Sequence, residues 1–461
     1  MTRAKIAGGA FAIVLVLLAL GAGRRILELA LDGGHRDLEQ DADPAAATSR
    51  AIDPSTGAPL EEGAHHGFLY GRITATDGVI YEGRLRFGGN EEAFWSDYFN
   101  GFKKENPWAA HAPTEALMVR RPVEVFGVEI AQRERRVDLR RPFMTRFGDI
   151  ARIDVRGRDL LVTLKSGTVV ALDRYGADDV ADGVRVWDGR RGIVDLRERR
   201  IRAVELLPTA WLDTVPERLH GTVRTRQGDF TGFVQWDRRE CVGTDVLDGR
   251  TADGELSLRF DTIRSIARSS GDSALVTLLD GRELELSGTR EIGDGNFGIF
   301  VDDPRFGRVR VPWEAFERVD FGAGGSGPAY GDFPPGRPLS GSVTTRAGHR
   351  LAGRLVYDLD ESETIETLDA PLQGLDYSIL FGLVAAIVLP SRDASATERA
   401  VVTLHGGEEL QLERDGDLGE GNAGMLVFDD DGESPVYVPW AEVARVDFDR
   451  PPAMYPPAGG R

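Results

Sequence analysis

Apolar and polar residues alternate in three widely separated parts of the chain, and glycines bound each alternating segment. The first segment reads GRITATDG at 71–78, the second GTVRTRQG at 221–228 and the third GSVTTRAG at 341–348. A second glycine and another alternating stretch follow each of the three segments. Period-two alternation bounded by glycine turns is typical of a β-hairpin with one buried face. The pattern therefore predicts three hairpins that are copies of one unit.

The similarity continues downstream and ends in a segment where the apolar period changes. Residues 311–321 read VPWEAFERVDF and residues 438–448 read VPWAEVARVDF, whereas residues 196–206 read LRERRIRAVEL and lack the Pro-Trp pair. A similar segment at 258–266 closes the first half of the second copy. Apolar residues change there from period two to period three and back, which predicts a strand, one turn of helix and another strand.

Four strands, a single helical turn and a fifth strand form the order found in SH3-like and Sm-like small barrels. At the level of topology, the chain resembles six such barrels in tandem. The resemblance implies an all-β fold of three tandem repeats, each of two SH3-like five-stranded half-units that pack together because so small a barrel buries little core. The predicted repeats cover 64–208, 218–322 and 337–450, and the first contains an insertion at 102–142.

The two ends of the chain have different patterns. A short basic start precedes an uninterrupted apolar run at 6–23, which is typical of a secretory signal or a membrane anchor. Residues 1–31 are therefore predicted to be a signal peptide or a membrane-anchor helix, and both alternatives stay open. The polar segment 32–63 and the proline-rich tail 451–461 are predicted to be a disordered tether and a disordered end. The predicted location is the cell envelope, reached by anchoring or by export after cleavage.

Two sets of apolar residues are predicted to be structural. The continuous apolar run at 379–389 is too short to span a membrane and aligns with 258–266, so it is predicted to be a strand, a turn and a strand. Trp236, Trp313 and Trp440 fall on the repeated pattern and are predicted to lie in the core.

Composition excludes several classes of function. The 461 residues carry a formal charge of −19, which argues against a general nucleic-acid binder because phosphate binding needs local positive charge. The single cysteine, Cys241, excludes intrachain disulfides and a cysteine-based zinc cage. The glycine-rich loops at 293–298 and 419–424 lack the ligands of an EF-hand and the lysine of a P-loop. No cofactor and no metal are predicted.

Carboxylates at predicted turns are the candidates for catalysis. They form two matching sets, Asp237, Glu240 and Asp245 in the second repeat and Asp358, Glu361 and Glu366 in the third. Paired carboxylates can act as general acid and base. Acidic residues in turns usually accept hydrogen bonds from nearby amides, and repetition of the set favours a structural cause. The predicted protein is not an enzyme, and a carboxylate hydrolase is the distant alternative, dependent on an open cleft that holds Glu240 and Asp245.

The first repeat departs most from the other two, so a binding function is predicted there. The candidate binding residues are aromatic and basic side chains of that repeat: Phe94, Trp95, Tyr98, Phe102, Trp108, Arg133, Arg135, Arg136, Arg140 and Arg141. Exposed aromatic rings stack on sugars or hold peptides, so cell-wall or carbohydrate binding is the main alternative to a protein scaffold. The arginines suit an anionic membrane surface or the acidic third repeat of a second copy.

These observations favour a non-enzymatic binding or scaffold protein of the bacterial cell envelope. The predicted partner is an envelope protein, a glycan or an anionic membrane surface, and the residues leave the choice among them open. Nucleic acid is not a predicted partner. Self-association through the first and third repeats is a further expectation, because the first is rich in arginine and the third is rich in acids.

Overall fold

The computed structural model describes residues 66–452 except for 115–117, 126–127, 137–140, 211, 213–214, 326, 392–397 and 430–433. Only the backbone of the segment 118–136 and of Asp178 is described. This part of the chain is all-β, as predicted, and its α-helix, α1, is the short segment Asp178–Ala181. Within these residues no helix has the length and apolar character needed to cross a bilayer. The predictions for 1–31 and 32–63 concern residues outside this range.

The strands are numbered in chain order. The first twelve are β1 (Tyr70–Ala75), β2 (Ile80–Phe87), β3 (Tyr98–Phe102), β4 (Met118–Val125), β5 (Val128–Arg136), β6 (Pro142–Arg146), β7 (Ile150–Arg156), β8 (Asp159–Leu164), β9 (Val169–Asp173), β10 (Val184–Asp188), β11 (Gly192–Leu196) and β12 (Ile201–Leu206). The next ten are β13 (His220–Thr225), β14 (Gly228–Gln235), β15 (Val246–Thr251), β16 (Gly254–Arg259), β17 (Ile263–Arg268), β18 (Ser273–Leu278), β19 (Glu283–Ser287), β20 (Ile299–Asp303), β21 (Gly307–Val311) and β22 (Phe316–Phe321). The last ten are β23 (Ser340–Thr345), β24 (Arg350–Val356), β25 (Thr367–Leu372), β26 (Leu375–Leu380), β27 (Val384–Val388), β28 (Ala400–Leu404), β29 (Glu409–Leu412), β30 (Met425–Phe428), β31 (Val436–Val438) and β32 (Val443–Phe448). Short 3-10 helices occupy Pro107–His111, Phe147–Asp149, Arg174–Gly176, Glu198–Arg200, Phe260–Thr262, Tyr330–Asp332, Phe381–Leu383, Gly416–Leu418 and Trp440–Glu442.

The strands form three large antiparallel sheets and two small hairpins. The first sheet has eight strands in the order β11-β10-β2-β1-β12-β7-β8-β9. The second has twelve, β16-β15-β19-β18-β17-β22-β13-β14-β20-β21-β26-β25, and the third has eight, β29-β28-β27-β32-β23-β24-β30-β31. The small hairpins are β3–β6 and β4–β5, and β4–β5 lies within the predicted insertion. The last two strands of the second sheet, β26 and β25, follow β24 in the chain, so a later hairpin extends an earlier sheet.

The same strand pairings occur in all three sheets. In the second sheet β13 pairs with β14 and β22, β14 pairs with β20, and β22 pairs with β17. The third sheet pairs β23 with β24 and β32, β24 with β30, and β32 with β27. The first sheet pairs β1 with β2 and β12, β2 with β10, and β12 with β7. In each sheet a one-residue register shift falls at the same place between the first and last strands.

The strands of the two predicted halves are interleaved. In the second sheet the first half supplies β13–β17 and the second half supplies β18–β22. The first-half strands β14 and β15 pair with β20 and β19 of the second half. One five-stranded group therefore contains β13, β14, β20, β21 and β22, and the other contains β15–β19. The pairing of β17 with β22 joins the two groups. Periodicity locates strands but not their partners, which is why the sequence suggested consecutive five-stranded units.

The repeated glycines have two physical roles. Gly78 lies in a hairpin turn with a φ of +83°, a left-handed conformation that favours glycine, as the turn prediction requires. Gly83 instead lies inside β2, where a Cβ atom would collide with the carbonyl oxygen of Trp187 on β10. The equivalent glycines of the other two sheets meet the neighbouring strand in the same way. Gly83 and its equivalents in the other two sheets therefore permit close approach of two strand backbones.

The predicted core residues are largely confirmed. Trp236 and Trp313 are 0% and 1% exposed, and their ring centres lie 6.3 Å apart in an edge-on arrangement. Trp440 is only half-buried and packs its ring against Tyr357 at 5.4 Å. The apolar run at 379–389 forms the end of β26, a 3-10 turn and β27, as predicted. The apolar pattern thus identified core segments correctly within the described part of the chain.

Candidate functional site

The predicted turn carboxylates bind backbone amides. Oδ2 of Asp245 accepts hydrogen bonds from the amides of Cys241 at 2.9 Å and Val242 at 3.1 Å. Oε2 of Glu366 accepts two amide hydrogen bonds in the corresponding loop of the third sheet, at 2.6 and 2.9 Å. The other oxygen of Asp245 accepts a hydrogen bond from Arg86 at 3.2 Å. Both carboxylates therefore shape loops, and Asp245 also joins the first sheet to the second.

Glu240 is buried close to a second carboxyl group, that of Glu291. Burial raises the pKa of Glu240 well above its usual value, and the charges of Glu291 and Asp237 raise it further. Burial also raises the pKa of Glu291 to about 7, although the amide of Asp248 donates a hydrogen bond to its Oε2 at 2.7 Å. Corresponding buried pairs occur in the first and third sheets. Because such a pair of buried carboxyl groups occurs in all three sheets, it is a structural feature of the fold.

We expect the Glu291→Gln variant to be more stable than the native protein at pH 8 by about 1–3 kcal/mol. The folded pKa of Glu291 lies above the unfolded one, so the stability that its proton contributes is complete below about pH 4.3 and is lost as the pH rises through about 7. Glutamine keeps the acceptor for Asp248 and cannot ionise. Urea unfolding at pH 5 and pH 8 measures the effect. The exposed Glu283→Gln is the control, and an equal gain at both pH values would contradict the prediction.

Three of the predicted binding aromatics are buried. Phe94, Trp95 and Tyr98 are 0%, 8% and 4% exposed. The ring centres of Phe94 and Trp95 each lie 6.4 Å from that of Phe333, and the guanidinium of Arg308 lies 4.8 Å from the centre of the Tyr98 ring. These rings present no open face to a sugar. They instead pack the first sheet against later parts of the chain.

The other two predicted aromatics make contacts within the chain. Phe102 is half-buried and lies over Gly176, where a Cβ atom would approach the ring to 3.1 Å. Trp108 packs edge-on against Phe428 of β30 with ring centres 6.0 Å apart, and the guanidinium of Arg354 lies 5.3 Å from the Trp108 ring centre. The start of the predicted insertion thus packs on the third sheet.

The predicted arginines divide into three groups. Arg133, Arg135 and Arg136 lie on β5 and pair with β4, and only their backbone is described. Arg140 falls outside the described residues. Arg141 donates a hydrogen bond to Oδ1 of Asp358 at 3.0 Å, in the third-sheet region of the same chain. Arg141 was predicted to attract the acidic third repeat of a second copy. It instead forms an ion pair with an acidic residue of its own chain.

In the second sheet, the strand β21 accepts an added strand from a distant part of the chain. β21 pairs with β26, which reaches it from the third part of the chain, through the pairs Arg308↔Ser378, Val309↔Tyr377 and Arg310↔Asp376. Arg310 and Asp376 form an ion pair at 2.8 Å along the added strand. An added strand is thus bound by main-chain hydrogen bonds and a flanking charge pair.

The corresponding strand of the first sheet, β11, has no neighbour beyond β10 among the described strands. β11 pairs with β10 so that Gly192 faces Asp188, just as Gly307 of β21 faces Asp303 of β20. Within the described ranges, β10 is the one strand paired with β11. Ile193, the second residue of β11, is 50% exposed. The strand equivalent to β21 therefore ends its sheet with an apolar residue facing solvent.

The outer face beside β11 carries a row of apolar and charged groups. Ile193 pairs with Trp187 on β10, so the two side chains share a face. The guanidinium of Arg84 lies 3.7 Å from the centre of the Trp187 ring. Nε of Arg185 donates to Oδ1 of Asp195 at 2.8 Å in the next row. This face was not among the predicted binding residues, although Trp187, which has no tryptophan counterpart in the other two predicted repeats, was a signal for it.

No family model, no curated protein and no solved structure matches the chain. Among the described residues no cluster of His, Cys, Asp and Glu side chains suits a metal ion. The edge of β11, with the face formed by Trp187 and Ile193, is the candidate functional site because it exposes Ile193 and because the equivalent strand β21 binds an added strand.

Proposed function

We propose that the protein is a non-enzymatic binding scaffold of the cell envelope, built from three tandem repeats of one ten-stranded unit. The recurring pairings and register shifts of the three sheets support the repeats. Each repeat would combine two SH3-like halves whose strands are interleaved. The apolar run at 6–23 supports delivery to the envelope, as a cleaved signal or as a membrane anchor.

The binding site of this scaffold is the open edge of β11, which would accept an extended strand of a partner polypeptide. The observation that carries the proposal is the pairing of β26 with β21, the equivalent strand of the second sheet. Strand addition obtains affinity from main-chain hydrogen bonds and specificity from alternate side chains. An unprotected, apolar edge strand is otherwise a hazard, because it pairs with other chains.

The face beside the edge would select among partner strands. Side chains that point to the outer face of an added strand would lie next to Ile193, one strand away from Trp187. Ile193 is half exposed, so an apolar side chain of the partner would remove its remaining surface from water. Trp187 is held in place by Arg84 and would gain contact area at little cost in side-chain entropy.

We expect a photo-crosslinking amino acid at position 193 of the full chain to capture a discrete polypeptide in the cells that make the protein. The matched control is position 279, because Leu279 is 57% exposed and lies at a turn of the second sheet. Mass spectrometry of the adducts identifies what is bound. Absence of an adduct at 193, or the same adducts at 193 and 279, would contradict strand addition at β11.

A further inference from the structure

The two ends of β11 are strongly basic. Arg190 lies just before the strand, and Arg197 and Arg199 lie just after it. All three side chains are exposed, and none forms an ion pair with a residue that the structure describes. An arginine without a counter-charge at the surface is available to an acidic group of a partner.

Neighbouring arginines are already paired, which distinguishes them from these three. Arg185 bonds to Asp195 at 2.8 Å and Arg200 lies 3.1 Å from Asp77. Arg191 lies 3.5 Å from Asp188 and donates to a backbone carbonyl at 3.2 Å. The unpaired positive charge is therefore concentrated at the two ends of the open edge, and the middle of the edge is apolar or internally neutralised.

We infer that the partner strand of β11 is an acidic one: an extended segment with an apolar centre and carboxylates at both ends. This inference rests on the proposed strand addition and names the chemistry of its occupant. β11 has five residues, about 17 Å of extended strand, with Arg190 in the turn before it and Arg197 directly after it. The carboxylates of the partner would therefore flank a centre of five to seven residues, roughly the length of β11 itself.

The pairing of β26 with β21 in the second sheet likewise combines an apolar contact with a pair of opposite charges. There the added strand β26 places Asp376 against Arg310 at 2.8 Å, beside the apolar pair of Val309 and Tyr377. Opposite charges along an added strand fix its register and suppress wrong partners. At β11 the arginines lie beyond the strand ends, so a longer acidic segment is needed to reach them.

A second copy of this chain fits the edge less well. The hairpin equivalent to β25–β26 in the second repeat is β15–β16, in which Glu255 pairs with Arg250 as Asp376 pairs with Pro371. In the register of β26 on β21, this hairpin would place Glu255 opposite Asp195 of β11. Like charges directly opposite each other destabilise a strand pair. The charges therefore favour a separate acidic polypeptide over self-association.

The test is binding of a synthetic peptide to the full-length protein, measured by fluorescence anisotropy. The acidic probe has the centre Leu-Ser-Tyr-Ser-Ile-Leu, which is the sequence of β26 with serine in place of the aspartate that would lie opposite Asp195, flanked on each side by two glutamates. The matched control has lysines in place of the four flanking glutamates. We expect the acidic probe to bind about tenfold more tightly, with the preference falling as salt is raised. The triple variant Arg190→Glu, Arg197→Glu, Arg199→Glu should reverse the preference.

Two proline variants locate the bound peptide. Neighbouring residues of a strand direct their N–H groups to opposite sides, so one of Ile193 and Val194 faces the open edge and the other faces β10. Proline at the edge-facing position should abolish peptide binding without changing the melting temperature, and proline at the other should lower the melting temperature.

The outcomes separate the acidic partner from strand addition itself. If both peptides bind equally and the proline variant still abolishes binding, strand addition stands and the acidic preference is wrong. If neither peptide binds, or if binding ignores both proline variants, strand addition at β11 fails and the inference fails with it. Light scattering that shows the full chain self-associating, with the acidic probe reversing it, would assign the edge to a second copy and overturn the separate partner.

Discussion

Replacing Lys103 with methionine is expected to lower the free energy of unfolding by about 3–5 kcal/mol. Lys103 follows β3 directly and is 9% exposed. Its Nζ donates hydrogen bonds to Oδ1 of Asp360 and Oε1 of Glu366, both at 2.9 Å. Methionine keeps the apolar stem and removes the charge, so the two carboxylates would stay buried without their cation. This ion pair joins the end of β3 to the loop between β24 and β25, so its loss also weakens that junction.

The pH dependence of the Lys103→Met variant gives a second signature. Burial opposes the charge of Lys103, but the charges of Glu366 and Asp360 hold its pKa above the usual value. Burial raises the pKa of Asp360, while Lys103 lowers it. Without the lysine, the folded pKa of Asp360 would rise further above its unfolded value. Stability that depends on the Asp360 proton is present at low pH and lost as the pH rises through the folded pKa, so the variant should be least stable at neutral and alkaline pH.

The adjacent residue provides the matched control. Lys104 forms an ion pair with Asp159, and the two side chains are 39% and 41% exposed. Surface pairs of this kind contribute little, so Lys104→Met should cost less than about 1 kcal/mol. Adding Asp360→Asn to Lys103→Met should restore part of the lost stability, because one of the uncompensated charges is removed. Urea unfolding of the native protein, the two lysine variants and the double variant measures these differences. Equal losses of unfolding free energy for Lys103→Met and Lys104→Met would show that the buried pair is not stabilising.

The strands and much of the core could be predicted from local patterns. Period-two alternation marks strands because successive side chains point to opposite faces. Alignment with 258–266 correctly placed the end of β26, a turn and β27 in the continuous apolar run at 379–389. The Val-Pro-Trp segment correctly marked Trp313 as a core residue, since the pattern places it where a strand meets a helical turn. These features depend on a few neighbouring residues, so one sequence suffices to find them.

The arrangement of the strands and the candidate site could not be found in this way. Lys103 and Asp360 are 257 positions apart, and no local pattern relates them. Whether a strand gains a further neighbour depends on which distant hairpin reaches it. β26 pairs with β21, whereas β11 pairs with β10 alone among the described strands. Phe94, Trp95 and Tyr98 looked like exposed binding residues because nothing in their own segment shows what packs on them. Packing between distant segments decided each of these cases.

The segment between β22 and β23 is the clearest example of such packing. Phe333 is 2% exposed, and its ring fits against Gly148, where a Cβ atom would collide with it. Nζ of Lys165 donates a hydrogen bond to the carbonyl oxygen of Phe333 at 3.1 Å and lies 3.5 Å from the centre of the Tyr330 ring. Tyr330 in turn donates through its hydroxyl to the carbonyl of Ile150 at 2.8 Å. The segment that leads from the second sheet to the third is therefore bound to the first sheet.

Replacing Phe333 with alanine should consequently lower the free energy of unfolding by about 3–5 kcal/mol, because a buried ring would leave a cavity beside Phe94 and Trp95. Tyr175→Ala is the control for loss of an aromatic ring, since Tyr175 is 69% exposed, and it should have almost no effect.

Hydrogen exchange separates local release of this segment from general destabilisation. In Phe333→Ala the amide of Asp332, which donates to Ala329 at 2.9 Å, should exchange faster than amides in the central strands β13 and β23, because the anchoring ring is gone. Gly148→Ala should produce the same pattern from the opposite side, since its methyl group would displace the intact ring. If all amides of both variants accelerated together, Phe333 would be an ordinary core residue and the segment would not be held to the first sheet through it. Faster exchange confined to the segment would show that one side chain fastens the connection between two sheets onto a third.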